Sequence, residues 1–599
     1  MLLGLLVLLV YSGMPADELT FDSAYIIGDD TRLTTFCAES VAEIFREDYW
    51  WPSLQSNLYR PLTTLSFWIE SSFLGFGKKP FGYQISNVLL HWLNAVLLFH
   101  VAQRWLKGVW SSAAVAGIFA CHPITVESVA NLVGRSDLFA TTSTLGGVLC
   151  YLRAVETKER TRRNIWLSLC GACGLLGVLA KESAIVLPAI IALHGLMRLP
   201  ELRDGVGGKK RWLQDAAWAA GALLPAAAVF LFTRWIYSSQ PGVTDHPFID
   251  NPIMAAGFIE GRLTALGVLG MQIAALFAPL SLSNDYSFDA IPVAVLPLGN
   301  STAIWGWGTL MGMAAIGGAL WRFRSNLYPA HTFSFGAFLV ATLPTSNLLI
   351  LIGSIRADRF QYLPAAFFWL FVAGVVSAVI ESRGGIQRAP GIARPGLARL
   401  LPIGALVWAV CIGLLAHFRC YDWRSNINLW RSAYVSASGS VKVMAALGNE
   451  MVRLSPNEKT LRDAIARTAS VLDIYERKQV PAKDWPLMVF SDLGAFHISL
   501  HDRLSEQKGR EAEAQRALEE GMRWLEKGLE YEAIGRRRWA DLWVDGNLEV
   551  TPRFALLHRN HILALHRQKR WSEALAKLEE MIERAPFIRK RWMNGRLCS

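Results

Sequence analysis

His122-Pro123-Ile124-Thr125-Val126-Glu127-Ser128-Val129-Ala130-Asn131-Leu132-Val133-Gly134-Arg135-Ser136-Asp137 lies where two apolar runs, 110–132 and 137–155, meet. Each run is long enough to cross a membrane, or nearly so. A His, a Glu, an Arg and an Asp therefore crowd one membrane boundary. Ionisable groups beside a bilayer are costly unless they pair or work, so this cluster reads as a site before it reads as scaffold.

The rest of the chain agrees with a membrane setting. Of 599 residues, 52% are hydrophobic and only 18% charged, and the mean hydropathy is +0.27. That composition fits a polytopic membrane protein with a soluble appendage. The 23 Trp and 29 Phe suit membrane interfaces. A net charge of +11 raises the question of nucleic acid. No nucleic-acid partner is expected, because much of the basic charge lies in short loops between apolar segments, where it orients the protein. Cys170-Gly-Ala-Cys173 lies inside an apolar run and reads as small packing residues rather than a metal or redox pair.

Further apolar runs occur at 84–105, 164–180, 183–199, 214–237, 263–280, 302–321, 329–352, 360–381 and 399–419. The opening run from Met1 to Tyr11 spans roughly 18 Å as a helix, short of a ~30 Å hydrocarbon core. It is read as the end of a first transmembrane helix whose start is missing. Basic loops at Arg104–Lys107, 153–163, 198–211, Arg322–Arg324 and 383–399 are placed in the cytosol by the positive-inside rule. The acidic loop from about 12 to 83 is then lumenal, with Gly134–Asp137, Lys181–Glu182 and Arg356–Arg359 on its side. A lumenal C-terminal tail requires an odd number of crossings, so one run is expected to be re-entrant or interfacial. The 263–280 run is the candidate. The expected division is a truncated first transmembrane helix over 1–12, a first lumenal loop over 13–83, a membrane domain over 84–419 and a lumenal repeat-like domain over 420–599.

From about Arg419 the composition becomes soluble and helical. Trp571-Ser-Glu-Ala574-Leu-Ala-Lys-Leu578, with Ile582 and Pro586, looks like the second helix of a tetratricopeptide repeat. The preceding helix would hold Ile562, Ala564 and Leu565, and Gln515–Tyr531 has similar spacing. The blander reading is a generic α-helical bundle. Repeats of this kind stack into a solenoid whose concave side commonly holds an extended peptide. The tail has room for about four.

One face of the membrane gathers Asp22, Arg60, Glu127, Arg135, Asp137, Lys181, Glu182, Asp358 and Arg359. Carboxylates in such a place can act as general bases, and cations can hold a phosphate. The alternative is that they pair only to close helix ends. Tyr59-Arg60-Pro61-Leu62 begins a run, Thr63–Phe67, expected on the membrane surface. His91 and His122 lack the spacing of a metal site, and no metal is expected. They are read as hydrogen-bonding backbone or a sugar hydroxyl. Asn300-Ser301-Thr302 is a glycosylation sequon close to the membrane.

Read together, these residues resemble the transmembrane and tetratricopeptide-repeat-containing protein O-mannosyltransferases. The family signature His-Pro-x-x-x-Glu-x-Val-Ala-x-x-Val-Gly-Arg-x-Asp is met by His122, Pro123, Glu127, Val129, Ala130, Val133, Gly134, Arg135 and Asp137. Tyr59 to Leu62 is similar to its Tyr-Arg-Pro-Leu, preceded by Asp48-Tyr49-Trp50. Asn87 to His91 and Lys181-Glu182 also resemble family motifs. So do Pro279-x-x-Leu282-x-x-Asp285-Tyr286-Ser287 and Asp358-Arg359-Phe360-Gln361-Tyr362-Leu363-Pro364. The junction Trp423, Leu429, Lys442 and Leu447-Gly448-Asn449 matches as well. One departure stands out: Phe21-Asp22 is followed by Ser23 where the family has a second acid. The repeat array is also short.

The resemblance implies an all-α polytopic bundle of GT-C type, followed by a short lumenal tetratricopeptide-repeat solenoid. It implies an endoplasmic reticulum enzyme that inverts the sugar centre. Mannose would move from dolichyl-phosphate mannose to Ser or Thr hydroxyls of secretory-pathway proteins held by the repeats, with no cofactor. Asp22 would be the catalytic base. Tyr59, Arg60, His91, His122, Glu127, Arg135, Asp137, Lys181, Glu182, Asp358 and Arg359 would bind the donor's phosphate or sugar. A non-catalytic membrane scaffold that binds partners through its repeats is the rival reading. A transporter fits less well, because the charges gather at one face rather than the midplane.

Overall fold

A backbone in hydrocarbon must satisfy its own hydrogen bonds, so long apolar runs fold as helices. The computed structural model describes residues 2–52, 58–106, 108–197, 220–221, 223–232, 248–322, 329–386, 395–539 and 552–584. Among them the regular structure is entirely helical. Among the described residues seven helices are long and apolar enough to cross a membrane: Pro80–Ala102, Leu132–Glu156, Arg160–Ala180, Phe258–Phe277, Ser301–Arg322, Asp358–Ala378 and Gly404–Asp422. The chain is a multi-pass membrane protein.

The expected run at 110–132 is not one straight helix. Val109–Cys121 and Pro123–Ala130 meet at a 53° bend. Pro123 supplies no N–H and disfavours helical backbone at His122, which is extended (φ −79°, ψ 131°). The His122 ring caps the restart, its Nδ1 accepting from the Ile124 N–H at 3.1 Å. The broken element is therefore here. The 263–280 run, expected to be re-entrant, lies mostly in the unbroken helix Phe258–Phe277. Of the 329–352 run only Pro329–Thr342 is an α-helix. The 214–237 run contributes Leu223–Phe232, and the basic loop at 198–211 lies outside the described residues.

The chain divides into two units. The first is Met1–Ser239, Ala256–Asn284 and Pro292–Leu429. In it Leu2–Tyr11 packs against Pro80–Ala102, Val109–Cys121 and Pro395–Asp422. The run after Tyr59 does not lie on a membrane surface. It forms the short helix Pro61–Trp68, with Thr63, Phe67 and Trp68 buried, and the Thr63 hydroxyl donates to the Ala180 carbonyl at 2.9 Å. The sequon residue Asn300 has its amide on the Val293 carbonyl at 2.7 Å. Its oxygen accepts from the Ala303 N–H at 3.0 Å.

The second unit is Gln240–Ala255, Asp285–Ile291 and Trp430–Ser599. From Val441 onward its described α-helices form three successive pairs: Val441–Leu454 with Glu458–Arg477, Leu487–Ser505 with Glu511–Trp539, and Pro552–Arg567 with Trp571–Arg584. First helices of neighbouring pairs also touch. Ser440 and Asn457 cap their helices by accepting from the Val443 and Thr460 N–H groups. Ala564, Leu565 and Ala574 are buried, as the repeat spacing requires, but Leu578 is exposed, and Pro586 lies outside the described residues. Two segments expected in the membrane domain join this unit instead. The Val441 N–H donates to the Phe288 carbonyl at 2.7 Å, and the Phe288 N–H to the Ile249 carbonyl at 2.8 Å. Asp285 accepts from the Ser440 hydroxyl at 3.1 Å, and Lys442 bridges to Asp250 at 2.9 Å. The Asp-Tyr-Ser element thus docks at the start of helix Val441–Leu454.

Candidate active site

The predicted site residues all lie in the first unit, mostly at or beside helix ends, and, Asp22 apart, the structure sorts them into two groups. The first group is spent inside the packing. Arg135 is 1% exposed. Its Nε donates to Asn87 Oδ1 at 2.8 Å, its Nη1 to Glu70 Oε2 at 2.7 Å and its Nη2 to the Tyr83 carbonyl at 3.0 Å. The Phe67 ring lies 4.8 Å from its guanidinium carbon. With Nη1 also donating to the Ser66 hydroxyl at 3.3 Å, most of the fork's donors are engaged. Gly134 beside it is obligatory, because a Cβ there would stand 2.4 Å from the Ser128 carbonyl oxygen.

His91 and His122 are both fully buried. His91 Nε2 faces the Ala120 carbonyl at 3.0 Å, so it carries the proton, and Nδ1 accepts from the Tyr362 hydroxyl at 2.6 Å. His122 Nε2 donates to the Leu276 carbonyl at 2.9 Å while Nδ1 caps Ile124. Neither ring has a nitrogen left for a sugar hydroxyl. The donor-binding role expected for His91, His122 and Arg135 is corrected accordingly: they frame the site. Tyr59 donates its hydroxyl to the Phe45 carbonyl at 3.0 Å. Asp358 is buried, with Arg356 at 3.5 Å. Asp358 is turned to the protein, and Tyr59 is half-buried.

The second group forms three ion pairs. Arg60 meets Glu182 through Nη2–Oε1 at 2.6 Å and Nε–Oε2 at 3.0 Å. Lys181 meets Asp137 at 2.6 Å. Arg359 pairs with Glu127 through its guanidinium, and its backbone N–H donates to Glu127 Oε2 at 2.9 Å. The pairs are one electrostatic cluster: Arg60 feels Asp137, Lys181 feels Arg60 and Glu182, and Arg359 feels Asp22 and Asp137. Burial works against the Arg60 charge, but Glu182 beside it more than restores it, so its pKa stands above the ordinary value. Arg60, Glu182 and Arg359 retain exposed side-chain surface of 12%, 36% and 23%. Their side chains keep an open surface, whereas the Arg135 donors are engaged inside the packing.

Asp22 is aimed by strained backbone. Phe21 before it has φ of +54°, a region that costs a non-glycine residue roughly 1–2 kcal/mol. The strain is held from far along the chain. The Phe21 N–H donates to Asn426 Oδ1 at 2.9 Å, and its ring meets Trp423 edge-on at 6.2 Å. Ser23 is fully buried and donates to Asn131 Oδ1 at 3.2 Å. The position of the missing second acid therefore points into the packing against the His122–Asp137 stretch.

Sequence reasoning missed Glu70 and Tyr83, the partners of Arg135, and gave Tyr362, the partner of His91, only as part of a motif. Only the tertiary fold brings them together. Among the described residues no three His, Cys, Asp or Glu side chains form a metal-binding group.

No protein-family model matches the chain. The sequence is similar to "Protein O-mannosyl-transferase Tmtc3" of Drosophila melanogaster, with 26% identity over 499 residues, 74% of this chain and 52% of that protein. It is similar to Drosophila "Protein O-mannosyl-transferase Tmtc2", with 34% identity over 258 residues, 41% of this chain and 26% of that one. It is also similar to "Protein O-mannosyl-transferase TMTC4" of Mus musculus, with 26% identity over 495 residues, 75% and 63% of the two chains. The chain thus spans between about a quarter and under two thirds of the length of these relatives. Among solved structures it is similar to the archaeal oligosaccharyltransferase AglB from Archaeoglobus fulgidus, at 14% identity and a TM-score of 0.38, over 77% of this chain and 58% of that one.

Proposed function

We propose that the chain is a GT-C-type protein O-mannosyltransferase. In this reading it moves mannose from dolichyl-phosphate mannose to Ser or Thr hydroxyls of secretory-pathway proteins. It sits in the endoplasmic reticulum membrane, and its helix pairs present the acceptor on the lumenal side. The observation that carries the reading is the cluster of Asp22, Arg60–Glu182, Lys181–Asp137 and Arg359–Glu127 at helix ends. The printed names of the relatives support it.

The chemistry asks for a base and for cations. An Asp22 carboxylate oxygen takes the acceptor's hydroxyl proton as that oxygen bonds to the anomeric carbon. The bond from that carbon to the phosphate oxygen breaks, and its electron pair leaves on dolichyl phosphate. Negative charge grows on the phosphoryl oxygens. Lys181 gives one of its three donors to Asp137, and Arg60 and Arg359 are held in fixed orientation by their carboxylates. Such preorganised donors favour the charged transition state over the ground state. The polyprenyl tail of the donor stays in the bilayer, which accounts for an enzyme made largely of membrane helices.

A second reading, a membrane scaffold without activity, is favoured by the closure of each cation on a carboxylate and by Ser23. The test is transfer from labelled dolichyl-phosphate mannose to candidate acceptor domains by the purified protein, with Asp22→Asn alongside. Transfer should fall by ~10²–10⁴-fold in the variant while folding and donor binding persist. Absence of transfer by the folded wild-type protein to any acceptor supports the scaffold.

A further inference from the structure

Tyr49 is 3% exposed, and its hydroxyl has no hydrogen-bond partner. Its backbone is fixed: the Tyr49 N–H donates to the Leu58 carbonyl at 2.8 Å, and the Asp48 carboxylate accepts from the Trp50 and Leu58 N–H groups at 2.7 and 3.0 Å. The Arg60 guanidinium carbon lies 5.0 Å from the ring centroid. The hydroxyl stands within electrostatic reach of Asp22 and Asp137, inside the cluster described above. A second orphan faces the same cluster: Asp137 Oδ2 has no partner, although its Oδ1 holds Lys181. Buried polar atoms are almost always paired, and a buried hydroxyl with no bond destabilises the fold. Phenylalanine would fill the same space without that cost.

Burial raises the Tyr49 pKa well above the ordinary phenol value. Arg60 pulls against this, and the charges of Asp22 and Asp137 add to it. The hydroxyl is therefore a held donor and not an anion.

We propose that Tyr49 is a further catalytic residue, whose hydroxyl donates a hydrogen bond to the phosphoryl oxygen that gathers charge as mannose leaves. The proposal rests on the mannosyl-transfer reading. The proton stays on Tyr49 throughout, and no bond to the residue forms or breaks. Because that phosphoryl oxygen becomes more negative along the reaction, the bond strengthens in the transition state and in the product phosphate more than in the bound donor.

The experiment compares full-length wild type and Tyr49→Phe in lipid nanodiscs by three readouts. Thermal unfolding should be unchanged or shifted upward, since only an unpaired hydroxyl is removed. Turnover should fall about 10- to 100-fold, with KM for dolichyl-phosphate mannose within about 2-fold. Affinity for dolichyl phosphate itself should weaken about 10-fold. Wild-type turnover in the variant overturns the proposal. So does a KM rise without a turnover loss, which would place the contact on the sugar's ground state. A lowered melting temperature would make the hydroxyl structural and also overturns it. If wild type transfers to no acceptor, the transfer reading fails by itself. Equal dolichyl-phosphate affinity of the two proteins then overturns the proposal independently.

Discussion

Arg135 lies in the most distinctive stretch of the chain, and its geometry makes it a strut rather than a ligand. Arg135→Lys separates the two roles. Lysine keeps a positive charge opposite Glu70 but has one compact head where arginine has a fork. The bonds from Nε to Asn87 and from Nη2 to the Tyr83 carbonyl cannot both be kept along with the Glu70 pair. Two acceptors buried in the first unit then lose a charged donor, at about 1.5 kcal/mol each or more. Weaker stacking on Phe67 adds up to about 1 kcal/mol. The variant should be less stable by about 3–4 kcal/mol, seen as a melting temperature several degrees lower in detergent. Hydrogen exchange should rise in Pro61–Trp68 and Pro80–Ala102, the helices that Arg135 ties together. Dolichyl-phosphate mannose affinity of the fraction that remains folded should be unchanged. Unaltered unfolding together with weakened donor binding would refute the reasoning and return Arg135 to the donor site.

Two other perturbations test separate parts of the structure. Ser23→Asp places a carboxylate beside Asn131, whose Nδ2 lacks a partner; transfer should stay within about threefold, and a rise of tenfold or more in turnover would show that a second acid works at the chemistry. Asp492, on helix Leu487–Ser505, has its carboxyl pKa pushed up to about 7 by burial, against the pull of the Asn449 hydrogen bond. The folded state therefore holds that proton more tightly than the unfolded chain does. The stability it gives is full below about pH 4 and is lost as pH rises through 7, by at most about 4 kcal/mol. Asp492→Asn should consequently gain in melting temperature over wild type on going from pH 5 to pH 8, and a constant difference would contradict the buried acid.

The helical class and the membrane setting were legible because apolar runs are local signals. The long helices lie where composition puts them, within a few residues. The break at His122 was written in the His-Pro pair, yet the run was read as continuous, because hydropathy averages over a proline. The docking of Asp285–Phe288 onto the helix that starts at Val441 was not legible. It depends on backbone bonds between residues about 150 positions apart, and nothing in the local pattern records them.

The candidate site shows why charge at a membrane boundary is an ambiguous signal. An ionisable residue there must recover its lost hydration from somewhere. It can do so in a closed cage of several partners, as Arg135 does, or in a pair that keeps an open side, as Arg60 and Arg359 do. Both solutions place the same residue types beside the same helix ends, so sequence alone counts them together. What separates them is how many donors each partner set consumes. That number is fixed by Asn87, Tyr83 and Glu70 for Arg135, and by single carboxylates for the others. The same accounting singles out Tyr49. It was passed over as one aromatic in a motif, because a missing hydrogen bond, unlike a charge, leaves no mark in the sequence. Asp22 is aimed in a similarly non-local way, since Asn426 and Trp423 hold Phe21 in its strained turn. Asn426→Ala should therefore lower turnover without touching any residue that meets the donor, as a direct consequence of how far apart the chain stores the parts of its site.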